Sequence, residues 1–326
     1  MTDQPIRRRL RNDLPFEGEG GLFFQTWYPI CLSAAVAPGQ VVGEDFLDGR
    51  VAVYRTMEGK AHVVSAYCPH LGADLSVGTV EGNNLKCRFH HWEYDETGVC
   101  VKTGIGDPAP RAACLFTFPT VEKFGIIWAF NGAEAPWELP DFEIPHDRLV
   151  MRSVRVPQVY NCDGWIFCCN TPDMQHIKVV HKINFETEDP HQLVTWHENG
   201  FDYPLKAEHQ GGIKIDWTIG IRGTSFFRQQ GMFGDWWLGA ITGHSCPRPG
   251  QHEIFLCLAV EKDEKAEERL DLAQSVLERT VLEDFPILNS IHYTAGTLTK
   301  GDRTLAKFFD YLRSYPRAHP SADFIR

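Results

Sequence analysis

No run of the 326-residue sequence is apolar for long enough to cross a bilayer. The longest near the middle, Phe124-Gly125-Ile126-Ile127-Trp128-Ala129-Phe130, falls far short of the ~20 residues that a spanning helix needs. A Gly-rich dinucleotide fingerprint is missing, as are internal repeats and low-complexity tracts, so no nucleotide-binding reductase module and no repeat architecture is expected. Basic charge is also in short supply. Thirty-two Lys and Arg against forty-three Asp and Glu leave a net charge of −11, which opposes non-specific attraction to nucleic acid or anionic membrane surfaces. The exception is the arm Ile6-Arg7-Arg8-Arg9-Leu10-Arg11, expected to be a solvated segment that pairs with the acidic surface. Those arginines are not followed by an apolar stretch of signal-peptide length, and a soluble cytoplasmic protein is expected.

What is present reads as a folded, two-domain chain. Hydrophobic residues make up 43% and charged residues 23%, an ordinary globular balance. Residues 24–132 carry short strands with turn punctuation: Val51 to Arg55 and His62 to Tyr67 flank a Glu58-Gly59-Lys60 turn as a hairpin would, and Leu85 to Phe89 forms a further strand. This half is expected to be all-β. A proline-bearing linker, 133–150, contains Pro136, Pro140 and Pro145. Residues 151–326 mix strands such as Gly212 to Ile219 with helices, the clearest from about Lys265 to Leu282, where Leu270, Leu272, Ala273, Val276, Leu277, Val281 and Leu282 recur at near-helical spacing. The fold class is therefore α+β.

Ten cysteines without an export signal point to thiols or metal ligands, since cytosolic reductants keep disulfides rare. Cys68-Pro69-His70 and Cys87-Arg88-Phe89-His90 form C-x-H and C-x-x-H, sixteen residues apart. Zinc accepts the same Cys₂His₂ donor set, but each loop here supplies one cysteine and one histidine. That alternation suits a [2Fe–2S] cluster with two thiolates and two imidazoles. The pattern, with Pro69, Leu71, Gly72 and the Phe89-His90-x-Trp92 run, resembles Rieske domains of the oxygenase branch. By that resemblance Cys68 and Cys87 hold one iron, and His70 and His90 the other. His91 departs from the family, where glycine is common, and is expected to alter local packing or solvent access.

The segment Asn170 to His181 contains D-x-x-H-x-x-x-x-H. Two imidazoles and a carboxylate form the facial triad that leaves positions open on non-haem Fe(II). Thr171 is expected as helix N-cap with Pro172 at the first helical position, placing Asp173 and His176 on one face. His176 and His181 would point about 140° apart on a regular helix, so the helix must widen or end between them. The order of the two motifs resembles the α subunits of Rieske oxygenases. That resemblance implies that His176 and His181 bind a mononuclear iron and that Asp173 bridges the two metal centres between subunits, placed to accept the second N–H of the His176 ring. The family's third ligand is a carboxylate on a C-terminal helix; Glu283-Asp284-Phe285-Pro286-Ile287 resembles that position in 3-ketosteroid 9α-hydroxylases. Asp284 is the choice and Glu283 its rival.

The resemblance implies a helix-grip catalytic domain, an antiparallel sheet around a long helix, and α₃ rings. It also implies a terminal oxygenase that uses O₂ to oxidise an apolar organic substrate, alicyclic or steroid-like. Hydroxylation is expected first, with demethylation or desaturation as alternatives. Electrons must come from a separate NAD(P)H-dependent flavin or iron–sulfur reductase, with or without a ferredoxin. Two readings from other classes are a Rieske electron carrier without oxygenase activity and a helix-grip lipid binder with zinc in the first site. The other cysteines, including Cys168-Cys169, are expected to be buried thiols. His91, His146, His191, His197, His209, His244 and His292 have no partner at ligand spacing, though some are expected to line the substrate cavity.

Overall fold

A computed structural model describes residues 13–209 and 212–326; the arginine arm and the side chain of His209 lie outside the described residues. The first half is built from small antiparallel sheets. Strands Val41–Phe46, Gly49–Arg55, Ala61–Ser65 and Thr117–Phe118 form one, and Trp27–Leu32, Ile126–Phe130 and Thr120–Lys123 another. The expected hairpin is present, with Val53 opposite Val63. Thr79–Glu81, Asn84–Lys86, Glu93–Tyr94 and Cys100–Lys102 form a third sheet. The strand expected over Leu85 to Phe89 stops at Lys86, because Cys87 turns its N–H to the Trp92 carbonyl instead of to a neighbouring strand.

The second half is one eight-stranded sheet with sequential neighbours from Gly200–His209 through Ile213–Arg222, Phe226–Phe233, Trp236–His244 and His252–Glu261 to Leu149–Tyr160. Alternate residues turn to one face, as the pleat requires. On that face the long helix Ala266–Leu288 (α3) seats Leu270, Ala273, Val281 and Leu288 in the core. Its length corrects the sequence expectation of a stop near Leu282. Pro286 lies in the last turn, where its missing N–H removes one hydrogen bond and the helix ends two residues later. Leu272 and Leu282, counted on the apolar stripe, face solvent.

The two halves share a seam. Trp128, Phe124 and Phe130 pack with Phe226, Ile241 and Phe255 of the large sheet. Gly243 is required there, since a Cβ at that position would lie 2.4 Å from the Trp128 ring. The proline-bearing linker contributes as well, through buried Leu139 and Phe142. The chain end crosses back: Arg317–Ala318 pairs with Phe23–Phe24, and Ile325 is buried beside Phe46 and Val51. Among the described residues no helix is long and apolar enough to cross a membrane.

Candidate metal centres

Cys68 and Cys87 head two loops of one design. Each cysteine's N–H bonds the carbonyl five residues on (Ala73 at 2.9 Å, Trp92 at 2.8 Å), and its carbonyl accepts the N–H four residues on (Gly72 at 2.8 Å, His91 at 3.0 Å). That closure demands a left-handed residue at the fourth position. Gly72 takes it at φ +76°, and His91 at φ +55°, where a Cβ is unfavourable. His91 is therefore the counterpart of Gly72, and its imidazole points to solvent.

The loops bring the four expected ligands together. Both cysteines are buried and both histidines partly so; the rings of His70 and His90 lie 4.6 Å apart, centre to centre. His70 stacks on Trp92 at 4.3 Å, and its buried Nδ1 has no hydrogen-bond partner among the described residues. Tyr94 Oη lies 3.0 Å from Cys68 Sγ. Burial pushes the Cys68 thiol up, and the hydrogen bonds of Tyr94 and the His70 backbone offset part of this. Two buried sulfurs beside two imidazoles, one with an orphaned nitrogen, fit a [2Fe–2S] cluster.

The second site is assembled from far-apart segments. The short helix Met174–Val179 (α2), which follows Gly164–Cys168 (α1), has Asp173, not Thr171, as its N-cap. Asp173 Oδ1 accepts the backbone N–H groups of Gln175 (3.1 Å) and His176 (2.9 Å), whereas the Thr171 N–H closes the preceding turn onto Cys168 and its carbonyl accepts the Tyr203 hydroxyl. The expected bond from Asp173 to the His176 ring is absent among the described residues, because the carboxylate is turned toward the helix start. The helix stops at Val179, between the two histidines as the 140° mismatch requires, and Lys182 adopts φ +56° as the chain turns away.

This turn swings His181 back toward His176. Their Nε2 atoms are 2.9 Å apart. From α3, Asp284 presents Oδ1 3.3 Å from His176 Nε2 and Oδ2 3.6 Å from His181 Nε2. One donor atom from each of the three residues lies within 4.8 Å of the others. Glu283 instead reaches the far side of the His181 ring, with Oε2 3.1 Å from Nδ1. A carboxylate there holds the proton on Nδ1 and leaves Nε2 as a lone-pair donor. Burial alone would lower the His181 pKa, but Asp284 and Glu283 outweigh it and the pKa is raised. Asp284 is only 2% exposed. Burial would raise its carboxyl, yet the two histidines hold it below the ordinary range. Two imidazoles and one buried carboxylate, whose Oδ1 has His176 Nε2 at 3.3 Å but no hydrogen bond of good geometry among the described residues, fit a divalent transition metal.

Sequence reading missed two supports. Asn170 donates from Nδ2 to Asp284 Oδ2 at 3.0 Å, and Glu283, weighed only as a rival ligand, orients His181. Asn170 opens the quoted motif, but nothing in its spacing reveals a partner 114 residues away. The triad lines a cavity of about 120 Å³ between α3 and the sheet, with Phe167, Ile177, Leu205, Phe227, Leu256 and Val281 among its walls. None of the other described histidines lines it. Cys168 and Cys169 are buried free thiols.

The Rieske [2Fe-2S] domain family matches residues 26–119. Cholesterol 7-desaturase nvd of Xenopus laevis is 37% identical over 180 residues, 54% of this chain and 38% of that protein. The oxygenase component of dicamba O-demethylase from Stenotrophomonas maltophilia is 31% identical over 166 residues, 50% of this chain and 48% of the relative. The matched stretches thus span less than half the length of these two relatives. The structure of Pseudomonas putida CBB5 NdmA with caffeine shares the fold over 89% of this chain and 90% of that one, with a TM-score of 0.72 and 19% identity. The chain is thus similar to the Rieske [2Fe-2S] domain family over residues 26–119, a stretch that contains Cys68, His70, Cys87 and His90, and it shares its overall fold with NdmA.

Proposed function

We propose that this chain is a terminal oxygenase that oxidises an apolar organic molecule at the His176, His181 and Asp284 site, with electrons supplied by a separate reductase. The observation that carries this reading is the convergence of those three donors at the wall of an apolar cavity. When bound, a [2Fe–2S] cluster and Fe(II) supply one-electron transfer and O₂ activation. The chain's own part is to hold and shield. Cys68, Cys87, His70 and His90 hold the cluster, and Tyr94 and Trp92 support it from outside. Glu283 sets the His181 tautomer, Asn170 steadies Asp284, and the apolar walls limit water around the reacting molecule. Asp173 keeps the bridging role that the family resemblance assigns it, which requires a neighbouring subunit and hence a ring of subunits, a trimer by that resemblance. A cytoplasmic setting, where a soluble reductase reaches the cluster, goes with this reading.

The substrate is an alicyclic molecule of which one ring enters the cavity. About 120 Å³ is well below the ~300 Å³ at which pockets for drug-sized ligands begin, so a whole sterol nucleus requires the walls to part. Hydroxylation is the proposed outcome. Similarity to a desaturase and a demethylase supports desaturation and demethylation as the next readings. Iron and acid-labile sulfide analysis tests the assignment: about three irons per chain are expected from both sites together, two for an electron carrier and none for a zinc protein. Product analysis with O₂ and a reconstituted reductase then separates the three outcomes.

A further inference from the structure

Two polar side chains at the wall of the apolar cavity each bury a nitrogen that has no hydrogen-bond partner among the described residues. Trp217 and Gln229 sit on adjacent strands, Ile213–Arg222 and Phe226–Phe233, in which Ile219 pairs with Gln229 and Trp217 with Gly231. This register makes them diagonal neighbours on one face, and both line the cavity together with the triad. Trp217 is 5% exposed and Gln229 6%. Neither Trp217 Nε1 nor Gln229 Nε2 has a hydrogen-bond partner among the described residues. The indole N–H can only donate, so the group that completes it must be an acceptor. A buried donor left unpaired costs stability, and the same sheet wall is otherwise lined by apolar Ile219, Phe227, Ala240 and Leu256, with Thr242 as a further polar side chain.

Resting on the reading of this cavity as the substrate site, we propose that Trp217 and Gln229 are specificity-determining residues that select an apolar substrate carrying one acceptor oxygen, a carbonyl or an ether. The oxygen is held against the sheet wall, and the carbon skeleton lies toward the side of the cavity that bears His176, His181 and Asp284. The selectivity is one-sided. A site built to donate hydrogen bonds rejects a hydrocarbon of the same shape, because the donors stay unpaired when it binds.

The test uses the purified holoprotein and two probes of nearly equal shape, cyclohexanone and methylenecyclohexane, which differ in C=O against C=CH₂. Affinities are measured by calorimetric titration, without turnover. Trp217→Phe and Gln229→Leu should each lower the ketone-to-hydrocarbon affinity ratio about tenfold, and the Gln229→Leu protein should bind the hydrocarbon more tightly than wild type. The same ratio in wild type and both variants would mean that water satisfies these donors, and overturns the proposal. Failure of the wild type to bind the ketone overturns it as well. Metal analysis of the same samples keeps this result apart from the oxygenase reading. Discrimination without mononuclear iron sinks the oxygenase alone, whereas iron without discrimination sinks only the acceptor pocket.

Discussion

The two candidate metal centres are put together in opposite ways. Cys68, His70, Cys87 and His90 sit on two loops closed by the same pair of backbone hydrogen bonds, so each loop shapes its own ligands. His176 and His181 face a carboxylate on another element, and their geometry exists only while α3 lies in the grip of the sheet. A site shaped by its own backbone tolerates distant change. A site spanning α2 and α3 registers any shift of either helix.

The sharpest way to break that contrast is Asp284→Ala. Removing the buried anionic member of the triad should abolish turnover and mononuclear iron binding while the visible spectrum of the Rieske cluster stays intact. Loss of that spectrum too would show that the centres do not stand apart. Glu283→Ala keeps all three donors and removes only the partner of His181 Nδ1, so iron affinity should fall by about 10- to 100-fold. Metal titration decides the order of the pair: if Glu283→Ala is the more damaging, the ligand is Glu283.

A smaller effect separates the halves by pH. In the second half His244 and His252 are fully buried, their ring centres 5.1 Å apart, and both ring nitrogens of His244 lack partners among the described residues. Burial holds His244 well below its usual range and lowers His252 to about 4. Unfolded, both would take up a proton near pH 6.5. Because the folded pKa is depressed, the unfolded state binds more protons below that point, and stability should be lost as pH falls from about 6.5 toward 4. His244→Phe, whose ring packs on Phe167 as the imidazole does, should make this acid limb shallower. Melting temperatures of the two proteins across that range check it; parallel curves would remove His244 from the account.

The smallest effect belongs to the loop design. His91→Gly places the freely left-handed residue where Gly72 already stands in the sister loop, and should raise the melting temperature by roughly 2 °C with an unchanged cluster spectrum. A lower melting temperature would mean that the exposed imidazole makes a stabilising contact that outweighs the backbone strain.

The legibility of each part follows its range in the chain. C-x-H and C-x-x-H could be read directly because the spacing of a few residues within a turn is already most of the geometry. The 140° mismatch between His176 and His181 likewise foretold that a regular helix could not run through both; of the two ways out, widening or ending, the structure shows the ending. The helix cap was misread by two residues. Thr171 and Asp173 are both good caps, and the choice was made by the Tyr203 hydroxyl and the Cys168 carbonyl, which come from other parts of the fold. The end of α3 was misread because the apolar spacing used to trace it runs out at Leu282, whereas Leu288 packs into the core beyond it.

Asp284 and Glu283 mark the boundary between the two kinds of knowledge. By itself the sequence determined the donor types, the two-site order and the α+β class, because these depend on residue chemistry and on periodicities of two and 3.6. Which neighbouring acid faces both imidazoles and which steadies one from behind, how large the cavity is, and which donors stand unpaired in its wall were decided only by the packing of α3 against the sheet. Adjacent residues on a helix point 100° apart, and only the docking angle of that helix selects which of the two looks inward.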